Sequence, residues 1–235
     1  MNVMDASELY DPEFRELIKS KKPTIIIPVG SIEQHGAHLP ISTDSDIVTE
    51  IASRLAKKCG FIVFPIISYG ISHEHDPLFN VSIRDNSYRD FLFVLIRSLH
   101  SSMDGLGSII ILNGHHGNVE ALNELMETKL VMTKSRCYSY WHFMEHEFDH
   151  AGFIETSIML AISDKVKMKK AKKGLITKGL SEKEIQRINN LSTEQGGFPK
   201  VAKNGVWGDP TSATKKDGKK FLAEIVRNLA KECQS

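Results

Sequence analysis

The chain has 235 residues, of which 41% are hydrophobic and 25% charged, so it can bury a sizeable core, is expected to fold as a single domain over 1–235, and is too apolar for a disordered polymer. Thirty basic residues against 29 acidic ones leave a formal net charge of +1, which argues against a nucleic-acid or anionic-membrane partner and favours a small molecule. The three cysteines lack paired spacing, and no apolar stretch approaches the ~20 residues that span a bilayer, so a disulfide framework, a thiolate zinc site and a membrane anchor are not indicated.

Met1 to Asp11 has no basic stretch followed by an apolar run, and the expected location is the cytoplasm. Thr24 to Val29 is a continuous apolar run closed by Gly30, the pattern of a strand buried on both faces, and the loop after it carries Glu33, His35 and His38. From Asp46 to Cys59 the residues Ile47, Val48, Ile51, Ala52, Leu55 and Ala56 recur at helical spacing, with Asp44 or Ser45 as the expected cap and Gly60 as the stop. Phe61 to Ile67 reads as a second strand and leads into the polar stretch Ser72-His73-Glu74-His75-Asp76. A helix then places Phe91, Leu92, Leu95, Ile96 and Leu99 on one face. Ser108 to Leu112 is a third strand, followed at once by Asn113-Gly114-His115-His116-Gly117-Asn118 and a helix with Leu122, Leu125 and Met126.

Lys165 to Lys173 and Leu180 to Lys203 have little apolar periodicity and read as a solvated surface excursion. Lys215 to Cys233 puts Phe221, Leu222, Ile225, Val226 and Leu229 at helical spacing, fit to pack back on the sheet. Strands alternating with helices predict an α/β fold of three layers, a mostly parallel central sheet with helices on both faces, whose ligands bind beyond the carboxyl ends of the strands. Glu33, His35, Asp44 and His115 all fall at such ends. Two imidazoles and two carboxylates without sulfur suit zinc, manganese or iron, and Asp44 could bridge two cations about 3.5–4 Å apart. For each residue taken singly, helix capping or loop bonding is the competing explanation, strongest for Asp44.

The run Gly30-Ser31-Ile32-Glu33-Gln34-His35-Gly36-Ala37-His38-Leu39-Pro40 with Thr43-Asp44 resembles the signature of the creatininase family. Asn113-Gly114-His115 with Gly117-Asn118, His150-Ala151-Gly152 with Glu155-Thr156-Ser157, and Gly205-Val206-Trp207-Gly208-Asp209-Pro210 with Ala213-Thr214 resemble further family blocks in the expected order. The resemblance implies a creatininase-like domain that hydrolyses a non-peptide carbon–nitrogen bond with two divalent metal ions, zinc, iron(II) or manganese. Glu33 and His115 would bind one ion, His35 the other, and Asp44 would bridge them. A glutamate that the family pattern has two positions after His115 is replaced here by Gly117, so Glu155 is expected to complete the second ion's shell. His150 is the implied proton shuttle, with Glu155 beside it in catalysis, and His38 and His116 are candidate substrate contacts.

Among family reactions, deformylation of 2-amino-5-formylamino-6-ribosylaminopyrimidin-4(3H)-one 5'-monophosphate is the favoured expectation. Its phosphate would need Arg84, Arg89 or the helix start near Gly117. Creatinine hydrolysis and a peptidase-like maturation of a cofactor precursor are the alternatives, the last requiring a groove open to a chain terminus. The resemblance also implies a homo-oligomer.

Overall fold

In the computed structural model, residues 4–102, 105–128, 135–147 and 149–234 are described. Five parallel strands make one sheet: β1 (Met4–Asp5), β2 (Ile25–Val29), β3 (Ile62–Val63), β4 (Ile109–Asn113) and β5 (Ser135–Ser139), in the order β1-β3-β2-β4-β5. The central pair is in register from Ile25 opposite Ile109 to Val29 opposite Asn113. Their side chains alternate between two cores because successive residues of a strand point to opposite faces. Ile26, Ile110 and Leu112 pack under α2 (Thr43–Cys59), while Ile25, Ile27, Val29, Ile109 and Ile111 pack under α3 (Asp85–Ser102).

The α2 side is completed by α5 (Phe153–Ile162) and α8 (Lys215–Gln234), the α3 side by α1 (Asp11–Lys21) and α4 (Val119–Met126), which gives the expected three layers. Burial of each large aliphatic side chain contributes on the order of 1.5–3 kcal/mol, and the central strands β2 and β4 are built mainly of such residues. Among the described residues no helix is long and apolar enough to cross a membrane.

Three expectations from the sequence need correction. The helix expected from Asp46 begins at Thr43, so Asp44 lies inside its first turn and Ser42 takes the cap position, without a side-chain capping bond. Freed from capping, Asp44 turns its carboxylate to two histidines. The second strand keeps ladder pairing only at Ile62 and Val63, and Pro65 just beyond has no N–H to donate. The surface stretch from Leu180 carries helices not expected from the sequence, α6 (Glu182–Thr193), buried only at Ser192, followed by α7 (Phe198–Val201). A capping box opens α6: Ser181 Oγ accepts from Glu184 N–H, and Glu184 accepts in return from Ser181 N–H.

Candidate metal centre

The polar loops leaving β2, β3 and β4 converge at the carboxyl end of the sheet. Asn118 ties them together: its amide nitrogen donates to the carbonyls of Gly30 (3.2 Å) and of the Asn113 side chain (3.3 Å), and its Oδ1 accepts from Ile71 N–H (3.0 Å). The loops thus hold Glu33, His35, Asp44 and His115 in a single buried cluster, as the sequence led us to expect. Glu155 joins them from the first turn of α5.

Each imidazole is set by a backbone carbonyl. His35 Nδ1 lies 3.2 Å from the Glu33 carbonyl and His115 Nε2 lies 2.6 Å from that of Ile71, so N–H donation there leaves His35 Nε2 and His115 Nδ1 with free lone pairs. These two nitrogens face opposite oxygens of one carboxylate. His35 Nε2 is 3.1 Å from Asp44 Oδ1, and His115 Nδ1 is 3.0 Å from Asp44 Oδ2. Glu155 Oε2 is 3.6 Å from His35 Nε2, and Glu33 Oε2 is 3.3 Å from the other nitrogen of His115 and accepts from Ser31 Oγ at 3.0 Å.

The donor set fits divalent cations. Glu33 Oε1, Asp44 Oδ2 and Glu155 Oε1 are buried oxygens that no hydrogen bond satisfies, an arrangement that is costly unless a cation faces them. No lysine or arginine pairs with these carboxylates among the described residues. Burial works against a charged His35, yet the Asp44 carboxylate, helped by Glu155 and Glu33, outweighs it and raises the imidazole to about 10. Burial, with the His35 charge acting against it, pushes Glu155 up to about 8. Protons are drawn to the place where a cation belongs, and a bound metal displaces them.

Beside the cluster stands His150, whose ring centroid is 4.2 Å from that of His35. Its Nε2 is 3.1 Å from both the Gln34 carbonyl oxygen and Gln34 Nε2, so either tautomer finds a partner, while Nδ1 looks toward Glu33 Oε1 at 3.8 Å. Burial first, then the neighbouring imidazoles of His35 and His75, hold its pKa well below the usual value. His150 is therefore neutral near pH 7 and able to receive a proton. Ala151, next to it, has a left-handed backbone with φ of 53°, which aims its N–H at Glu155 Oε2 at 2.6 Å.

Two residues absent from the expected set belong to the cluster. His75 Nε2 is 2.9 Å from Glu33 Oε1 and its Nδ1 is 3.0 Å from Gln34 Nε2, and Glu74 lies beside it. The signal was present in the sequence, since Ser72 to Asp76 follows β3 just as the other two polar loops follow their strands. His38 moves the other way. It is buried behind the site, bonded through Nε2 to Thr156 Oγ1 at 2.9 Å, and does not line the cavity, so its expected substrate contact is replaced by a supporting role under α5. Burial lowers it to about 4. His116 does line the cavity, with its ring stacked 6.0 Å from Trp141.

That cavity, about 660 Å³, opens from the cluster between α4 and α6 and is walled by Phe198 and Trp207. Among the described residues, eight that line it are Asp or Glu and none is Lys or Arg. Of the cations considered for a phosphate, Arg89 is paired with Glu124 and lies 3.8 Å from Asp90, and Arg84 is exposed and outside the lining.

The creatininase family profile, described as creatinine amidohydrolase, matches residues 7–233. A mycofactocin precursor peptide peptidase from Mycobacterium ulcerans is 34% identical over 221 residues, covering 89% of this chain and 84% of the relative. A 2-amino-5-formylamino-6-ribosylaminopyrimidin-4(3H)-one 5'-monophosphate deformylase from Methanocaldococcus infernus is 29% identical over 219 residues, covering 88% of this chain and 89% of the relative. Among solved structures, one titled "Creatininase Mn" superposes with a TM-score of 0.83 at 21% identity, over 100% of this chain and 98% of the other.

Proposed function

Because the chain belongs to the creatininase family of carbon–nitrogen hydrolases, we propose that it is a two-metal amidohydrolase acting on an amide bond of a peptide or peptide-derived substrate. The observation that carries the metal count is Asp44. Its two oxygens face two different imidazoles, each of which has its second nitrogen held by a backbone carbonyl. Glu33, Asp44 and His115 would hold one ion, and His35, Asp44 and Glu155 the other. The donors suit zinc, manganese or iron(II) alike, and the manganese in a structural relative's title is consistent with that set. Bound there, a pair of divalent cations supplies Lewis acidity toward the amide carbonyl and makes water acidic enough to ionise near neutral pH.

The protein's own groups perform the rest. His150, neutral and fixed by Gln34, takes a proton on its cluster-facing side and returns it to the departing nitrogen, the step that turns a poor amide leaving group into an amine. Phe198 meets the His150 ring edge-on at 4.8 Å and the His75 ring at a tilt at 4.5 Å and keeps that edge of the site dry.

The cavity lining supports the peptide reading. Outside the carboxylates assigned to the cations, the lining still carries Asp85, Glu120, Glu124 and Glu127 and, among the described residues, no lysine or arginine, so a phosphate held at that outer part of the cavity would meet repulsion of about 1 kcal/mol per charge at 4 Å in water. A chain carrying an amine meets attraction instead. The identity to a peptide peptidase over most of both chains points the same way. Deformylation of the pyrimidine nucleotide remains the second reading, favoured by the likeness to the Methanocaldococcus infernus deformylase over 88% of the chain.

The test is metal analysis of the purified protein alongside product assays on peptides, on the formylaminopyrimidine nucleotide and on creatinine, with Asp44→Ala as control. Two cations per chain and peptide cleavage, both lost with Asp44, are the expected outcome. Formate release from the nucleotide would establish the second reading, and failure of the wild type to bind metal would end both.

A further inference from the structure

Gly117 occupies the position where the family pattern calls for a carboxylate, and it is tightly packed. A β-carbon there would stand 2.1 Å from the Ile71 carbonyl oxygen, 2.6 Å from His115 Nε2 and 2.8 Å from Glu74 Oε1. The volume that a longer side chain would use at 117 is therefore already taken by a carboxylate from a different element, the short 3-10 turn His73–His75 after β3. Glu74 is only 8% exposed, and its ion-pair neighbours among the described residues are two imidazoles: His115 Nε2 at 3.6 Å and His75 Nε2 at 3.7 Å.

The His115 nitrogen is committed to the Ile71 carbonyl, and that of His75 lies nearer to Glu33 Oε1, at 2.9 Å, than to Glu74. A carboxylate this buried, bonded by its own backbone N–H and with no lysine or arginine against it among the described residues, is costly unless a cation compensates it. Glu33, Glu74 and His75 moreover present three donor atoms close enough to share one ion, with Glu33 common to this set and to the Glu33–Asp44–His115 set.

We propose that Glu74, supplied by the loop after β3 and filling the volume above Gly117, is an additional carboxylate of the metal centre, and that it helps retain the cation on the Glu33–His115 side. The proposal rests on the two-metal reading above. It predicts an asymmetric effect: Glu74 lies toward Glu33, His75 and His115, and away from the His35–Asp44–Glu155 set.

The experiment compares wild type, Glu74→Gln and Glu74→Asp. The metal-free proteins are titrated with zinc against a chromophoric chelator and with cobalt(II) followed by its visible absorption, and their melting points are recorded with chelator present. Glutamine keeps the volume above Gly117 and removes the charge. The expected result is that Glu74→Gln weakens one of two cation sites by about 10- to 100-fold, leaves the other within twofold, and alters the cobalt spectrum, with the aspartate variant in between. Wild-type affinities and spectrum in Glu74→Gln, with the metal-free melting point preserved, would overturn the proposal while leaving the two-metal reading intact. A loss of both sites together with a lowered melting point in both variants would also overturn it, marking Glu74 as structural. A wild type that takes up no cation would instead sink the reading on which the proposal rests.

Discussion

Replacing Gly117 by alanine sets two effects against each other, and the structure decides the sign. Gly117 does not have a positive φ, so alanine fits its backbone and restricts the unfolded chain, an effect worth about 0.4–1 kcal/mol of added stability. The added methyl, however, would lie 2.1 Å from a backbone oxygen and within 2.8 Å of two more polar atoms. Overpacking of that kind costs ~1–3 kcal/mol, and pushing His115 off the Ile71 carbonyl forfeits a hydrogen bond worth ~1 kcal/mol. The clash wins by about 2 kcal/mol, equivalent to a fall of roughly 4–8 °C in the melting point for a chain of this size. Because the displaced ring is the one whose Nδ1 faces Asp44, cation affinity should fall with it, by about 10- to 100-fold. Differential scanning fluorimetry with chelator, then zinc titration, measures both. Gly179→Ala is the control, since Gly179 has φ of 91° and nothing within 4 Å; it should lose ~1–2 kcal/mol to left-handed strain and keep its metal. A Gly117→Ala protein as stable as wild type with unchanged zinc affinity would refute the reasoning.

His150→Asn should lower kcat by about 10²- to 10⁴-fold while metal content measured by elemental analysis stays that of wild type; parallel loss of metal would make His150 a ligand rather than a proton carrier. Ser181→Ala removes the capping box of α6 and should cost ~1 kcal/mol locally. Because Asn189, Ser192 and Thr193 of that helix line the cavity, KM should rise with little change in zinc affinity, and an unchanged KM would detach the helix from substrate binding. Burial pushes the Cys137 thiol up to about 12, and a raised thiol pKa means less thiolate at any lower pH. Its alkylation by iodoacetamide should therefore be slow at pH 8 in the native protein and become fast on unfolding in urea; rapid native labelling would contradict that burial.

The parts legible in the sequence were those where one pattern has one physical meaning. Runs such as Ile25 to Val29 and Ile109 to Leu112 are apolar on both faces because the sheet between two helix layers has no wet side. The 3.6-residue period of Ile47, Ile51 and Leu55 in α2, and of Phe221, Ile225 and Leu229 in α8, fixed the faces they bury. Strand β5, reading Ser-Arg-Cys-Tyr-Ser, was illegible because it pairs with β4 alone at the edge of the sheet and carries polar residues on a half-exposed surface. Helix α6 has Ser192 as its only buried residue, and its stripe of Ile185, Ile188 and Leu191 at helical spacing is only half-buried, so the helix is easily overlooked among its charged neighbours.

The same distinction runs through the site. Glu33, His35, Asp44 and His115 could be singled out from sequence because each sits where a strand or loop hands over to a helix, and the sheet brings such places together; Glu155 entered only through the family resemblance. Glu74 and His75 sit at an equivalent handover, but a single chain read in order gives no sign that the void over Gly117 and a carboxylate 43 positions earlier are the same volume. A missing side chain is visible in sequence; what fills its space is not, since packing density is a property of three dimensions. The charge of the cavity follows the same logic. A chain with net charge of only +1 still assembles eight acidic residues and, among the described residues, no lysine or arginine around one opening. On the peptide reading, exclusion of phosphate would lie in the distribution of charge rather than in composition, and changing Glu120 and Glu124 to lysine, both exposed and outside the donor groups, is the substitution by which tolerance of an anionic substrate should rise without touching the metals.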